Sequence, residues 1–119
     1  MSSGAPNYST PRYGSYNTFL GFSNWLRLFN DNPIPATITV TVAELGNASP
    51  ATPLGSTSIV LQPFSGVDAE LISTLGLSIP ADTYGTVKVE STINGVFAEM
   101  LRLKDLNGVI DIAASSPVR

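Results

Sequence analysis

The sequence predicts an antiparallel β-sandwich, Ig-like or jelly-roll-like, of seven to eight short strands and at most one or two helical turns. Three observations carry this reading. Ile38, Val40 and Val42 alternate with Thr37, Thr39 and Thr41, as in a strand with one wet face. Similar short runs recur along the chain with turn residues between them. Two Asn-Gly pairs, Asn94-Gly95 and Asn107-Gly108, carry the residue preference of tight hairpins, whose type I′ turn needs positive φ at both central positions.

The elements follow in chain order. Residues 1–17 are Ser, Gly, Pro, Asn and Tyr with one charge, Arg12. Such a stretch cannot bury enough apolar surface to fold alone, so it reads as an N-terminal arm before a single domain over residues 18–119. A first strand is expected from Phe19 to Phe29, with a break near Gly21. "NDNPIP" is a turn, because Asn and Asp bond their own backbone and the prolines deny ladder donors. Ala36 to Leu45 is the next strand, "GNASPATPLG" a loop, and Ser56 to Leu61 a strand with Ile59 and Leu61 on one face. In "VDAELISTLGL" a short strand should lead into one helical turn stopped by Gly76, and Asp68 is an alternative helix cap. Thr86 to Ser91 places Val87 and Val89 inward. Val96 to Leu103 returns after the first Asn-Gly pair, and Val109 to Ala113 closes the fold.

A chain of 119 residues makes one domain. Charged residues are 13% of it, against about 25% in ordinary globular proteins, so Ser, Thr, Asn, Gly and Pro must build the surface. A net charge of -3 and the lack of a basic stripe argue against nucleic acid. No apolar run approaches membrane-spanning length, so membrane insertion is not expected. The opening "MSSGAPNYSTPRYG" lacks the charged and apolar regions of a secretory signal. The expectation is an exported protein whose signal has been removed or replaced.

The chain has no Cys and no His. Disulfides, thiol chemistry and Ser-His-Asp or Cys-His machinery are excluded. No cofactor is expected, since no glycine-rich strand-to-helix loop offers a nucleotide site. Asp105, Asn107 and Asp111 in "DLNGVID" form a weak calcium candidate, although a turn of this kind between strands needs no ion. Asp68 and Glu70 share a face if that stretch is extended, and paired carboxylates can act on glycosides; two acids on an edge are more often a solvated face. "NYS" at Asn7 and "NAS" at Asn47 match the glycosylation pattern, which chance readily supplies in such a composition. The chain is not expected to be an enzyme.

Two strands break the alternation. In "NWLRLF", Leu26 and Leu28 point one way and Trp25 and Phe29 the other. In "VFAEMLRL", Val96, Ala98 and Met100 oppose Phe97, Leu101 and Leu103. Each odd face also carries one charge, Arg27 or Glu99. If the two strands are neighbours, Arg27 and Glu99 pair across the ladder inside a patch of Trp25, Phe29, Phe97 and Leu101. Contiguous apolar surface of this kind marks contact sites. The expected cover is the arm, residues 8–22, from the same or an adjacent copy. The interface candidates are therefore Tyr8, Tyr13, Tyr16, Phe19, Phe22, Trp25, Arg27, Phe29, Phe97, Glu99 and Leu101. The competing reading places both faces in one closed core, as in a small barrel or with the "ELISTL" turn lying across the second face.

"YNTFLGFSNWLRLFN…PATITVTV", "YGTVKVES" and "VFAEMLRL" resemble sandwich modules that recur in large secreted and surface proteins of bacteria. The shared pattern is N-x-L-x-L-x-N, a Pro/Ala turn into alternating Thr/Val, and a late Y-G-x-V; it covers Tyr16 to Leu103. The resemblance implies an Ig-like or related sandwich outside the cell or on its surface, with a structural or adhesive role and no catalytic residues to carry over. The chain departs from it as one short module with its own arm, which favours self-assembly into an oligomer, filament or surface layer. Two alternatives stand beside this. One is a carbohydrate- or surface-binding module using Tyr13, Tyr16 and Trp25 on a surface glycan. The other is a small virion or phage accessory protein.

Overall fold

A computed structural model describes residues 11–19, 22–45, 52–106 and 109–117. Among them are eight strands: β1 (Arg12–Asn17), β2 (Ser23–Asn30), β3 (Ala36–Leu45), β4 (Thr52–Leu61), β5 (Gly66–Glu70), β6 (Tyr84–Ser91), β7 (Val96–Leu106) and β8 (Val109–Pro117). All pairings are antiparallel, in two four-stranded sheets ordered β1-β6-β3-β4 and β5-β2-β7-β8. The protein is an antiparallel β-sandwich. Only β3-β4 and β7-β8 are consecutive neighbours within a sheet; every other connection crosses from one sheet to the other.

The core lies between the sheets and follows the alternation. Ile38, Val40 and Val42 of β3 and Val87 and Val89 of β6 are buried from one side. Leu26 and Leu28 of β2 and Val96 and Met100 of β7 meet them from the other. Leu71, Leu77 and Ile79, from the connection after β5, complete it. As expected, β5 leads into a single turn, with Thr74 N–H donating to the Glu70 carbonyl, and Gly76 ends it at φ +72°. The cap is Glu70 rather than Asp68. Its Oε1 accepts from Ile72 N–H, Ser73 N–H and the Ser73 hydroxyl at 3.1, 2.7 and 2.9 Å.

Two expectations are corrected. The first is the arm, whose last six residues form β1, while the expected break near Gly21 falls before β2, which starts at Ser23. Tyr16 is 1% exposed in the core, opposite Gly85, and the Arg12 guanidinium donates to the Val96 carbonyl across the sheets. Backbone pairing to β6 and one deeply placed ring hold a segment whose composition alone predicts no strand. Asn94-Gly95 is not a hairpin either. Gly95 has φ +88° but Asn94 lacks the positive φ that a type I′ turn requires. The turn carries the chain from β6 in one sheet to β7 in the other. By contrast, Asn107-Gly108 lies between paired β7 and β8, where Leu106 opposes Val109.

Both ends of β2 are tied by asparagines on its buried face. Asn24 accepts from the Asn17 N–H and donates to the Asn17 carbonyl, both at 2.9 Å, so its amide stands in for a strand partner at the end of β1. Asn30 is 0% exposed. Its amide donates to the carbonyls of Ile34, Leu61 and Gln62 at 2.9, 3.3 and 3.2 Å, and its oxygen accepts from Asn32 at 2.9 Å. Buried amides persist only when their bonds are made. Here they join the two sheets at the two ends of one strand.

Candidate interaction face

The outer face of the β5-β2-β7-β8 sheet carries the site. Since β2 and β7 are adjacent, Trp25 opposes Leu101, Arg27 opposes Glu99, and Phe29 opposes Phe97. The patch expected from the broken alternation is therefore contiguous. It lies outside the sandwich: Phe29 is 41% exposed and Phe97 59%. Of the "ELISTL" turn, Leu71 points into the core, while Glu70 stands opposite Trp25 in the β2-β5 ladder. Trp25 is half-buried and its indole N–H donates to the Ser23 hydroxyl at 3.1 Å; Leu101 is buried.

Arg27 stands between two acids in register, Asp68 of β5 and Glu99 of β7. Nε meets Asp68 Oδ1 at 2.9 Å, Nη2 meets Oδ2 at 3.4 Å, and Nη1 meets Glu99 Oε1 at 3.7 Å. The hydrogen bond that Arg27 donates to Asp68 is the main reason the guanidinium pKa rises further. Exposed pairs of this kind add little stability and are screened by salt; their effect here is to fix the direction of three charges within an aromatic surface. Open grooves of about 270 and 200 Å³ flank Phe29. One is lined by Gly66, Val67 and Asp68, the other by Phe97, Ala98 and Glu99, with Arg27 reaching both.

A further aromatic was not foreseen. Phe64, in the turn between β4 and β5, is 61% exposed with φ +52°. Bulky residues seldom occupy that region. Asn32 accepts the Phe64 N–H at 3.2 Å, and the next residue, Ser65, accepts from Asn30 N–H, one position beyond Phe29. No pattern in "QPFSG" signals this.

The other sequence candidates disperse. Tyr13 is exposed on β1 in the opposite sheet, and Tyr16 is in the core, so Tyr13, Tyr16 and Trp25 do not converge on one surface. Phe19 packs against Tyr84, with ring centroids 6.4 Å apart, and Phe22 is half-buried. Residues 12–17 of the proposed cover sit in the opposite sheet and so do not lie over the patch in their own copy. Tyr8 and the glycosylation triplets at Asn7 and Asn47 lie outside the described residues. So do the calcium candidate's side chains, those of Asp105, Asn107 and Asp111. Among the described residues no His, Cys, Asp or Glu cluster suits a metal, and no helix is long and apolar enough to cross a membrane.

Comparison with known proteins bears on the fold. No family model matches the chain, and no curated protein does. The crystal structure of Thermotoga maritima 1070 superposes with a TM-score of 0.68 over 92% of this chain and 91% of that one, at 16% identity. That likeness is one of architecture, and it spans both sheets.

Proposed function

We propose that this protein is a non-enzymatic structural or adhesive module, acting outside the cell or on its surface, that binds copies of itself through the outer face of β2 and β7. The observation that carries this reading is the cross-strand pair Phe29-Phe97, exposed beside the Asp68-Arg27-Glu99 row. Burying a large side chain contributes about 1.5–3 kcal/mol, and aromatic clusters ringed by polar groups are the usual anchors of protein contacts. The low charge and the Thr/Ser outer face of β3 and β4 support an extracellular setting. Sedimentation over a range of concentrations tests the reading. Wild type should exceed the 12.5 kDa chain mass, and Phe97→Lys should shift it toward smaller species. A wild type that stays monomeric at the highest concentration overturns it.

A second reading draws on the grooves beside Phe29. An aromatic ring bordered by Arg27, Asp68 and Glu99 offers a sugar both stacking and hydrogen bonding. Glycan-array binding lost in Phe29→Ala would favour it over self-association.

A further inference from the structure

The two sheets have four edges, and three of them resist pairing with another strand. β1 is six residues long, follows Pro11 and begins with Arg12. β5 has five residues and carries Asp68 and Glu70. β8 contains Asp111 and ends at Pro117. Short length, charge and proline are the usual means by which proteins blunt an edge.

β4 differs. It has ten residues, "TPLGSTSIVL", without a single charge. Its proline, Pro53, and the register shift opposite Val42/Ala43 fall in its first half. From Ser56 to Leu61 it pairs with β3 in unbroken register, from Thr41 to Ala36. Among the described residues no strand pairs with its other side. Leu54 and Ile59 pack against the core yet stay only partly buried at this edge, and Val60 is 58% exposed.

We infer that β4 pairs antiparallel with β4 of a second copy, joining two β1-β6-β3-β4 sheets into one. An edge strand offers every second amide and carbonyl outward, and only another strand satisfies them in series. Across a two-fold axis a strand meets its own sequence, so any charge would face its own kind at close range. Residues 52–61 have none to repel. An in-phase antiparallel copy sets Thr57, Ile59 and Leu61 against the same inward set, and Ser56, Ser58 and Val60 against the same outward set. The contact completes the burial of Ile59. One edge buries little area, so it acts together with the sheet-face contact proposed above, on whose premise of self-association it rests.

The experiment compares wild type, Val60→Lys and Phe97→Lys by sedimentation, with amide hydrogen exchange at low and high concentration. Lysine at exposed position 60 restores the missing edge charge without touching the core, and circular dichroism checks the fold. Val60→Lys should reduce the assembly to no more than twice the chain mass. In wild type, exchange at residues 56–60 should slow with concentration, and in Val60→Lys it should not. If Val60→Lys assembles like wild type while Phe97→Lys does not, the edge pairing is wrong and the face reading stands. If wild type is monomeric throughout, both fall.

Discussion

Tyr16 and Gly85 stand opposite each other in the β1-β6 ladder, and the tyrosine ring lies where a side chain on residue 85 would have to go. A β-carbon there would come within 2.6 Å of the ring and 2.0 Å of the Ala43 carbonyl oxygen. The carbonyl belongs to the backbone of the neighbouring strand and cannot rotate away. Gly85→Ala should therefore cost about 1–3 kcal/mol, the usual penalty of overpacking. Thermal unfolding should show a drop of several degrees. An unchanged melting temperature would mean that β1 does not hold its place against β6.

The same tyrosine sets an upper pH limit. Burial raises its pKa above the ordinary 10.0; the Thr83 hydrogen bond partly offsets this, and the nearby Glu44 charge adds to it. The folded state thus holds the phenolic proton more tightly than the unfolded chain does. This contribution is fully present below pH 10 and is lost as pH rises through the higher folded value. Urea midpoints between pH 8 and 11 should fall at the alkaline end, and by less in Tyr16→Phe. Equal slopes in the two proteins would assign the loss to other groups.

Asp68 and Glu70 are neighbours on one face of β5 with different duties. Glu70→Ala removes the acceptor of three hydrogen bonds in the turn after β5 and should cost about 1 kcal/mol, as loss of a cap does. Asp68→Ala removes only an exposed ion pair, so its unfolding midpoint should stay close to wild type. Its association should instead become less sensitive to salt. Equal destabilisation by both substitutions would contradict this division.

Phe64 combines exposure with a left-handed backbone. Phe64→Gly relieves the backbone and should raise stability by up to about 1 kcal/mol. Strain of this sort gathers where a side chain is needed for contact. The variant should accordingly be more stable and bind its neighbour less well. If it is less stable, the ring contributes to packing rather than to contact.

The strands that sequence reading placed well are those whose pattern is local. β3 matches the expected Ala36 to Leu45 because Ala36, Ile38, Val40 and Val42, at alternate positions, face one core. The patch was legible for the same reason, since only outward residues could break the pattern in β2 and β7. β1 escaped because its inward set is Arg12, Gly14 and Tyr16, of which one alone is apolar. The space for that one is made by a glycine far away in sequence. Asn94-Gly95 announces a reversal, but which sheet receives the next strand depends on long-range packing. The roles of Asn24 and Asn30 were within reach: their parity with Leu26 and Leu28 places them on the buried face. Phe64 gave no local sign at all.

The amide of Asn30 and its links to Asn32 bear on the proposed contact between copies. Asn32 also donates to the Asn94 carbonyl at 2.7 Å, and Asp31 N–H donates to the Gly95 carbonyl at 3.0 Å. Three turns beside Phe29 and Phe97, those preceding β3, β5 and β7, are thus bonded to one another before any partner arrives. Docking usually loses free energy to the ordering of loops. Here that ordering is already in place, so under the proposed self-association a neighbour should meet a rigid rim and lose little entropy on contact. The amides of Asn30, Asp31 and Phe64 should be slow to exchange in the isolated protein and change little on assembly. Asn30→Ala should free the rim, and the weakened association should appear in calorimetry as a larger unfavourable entropy.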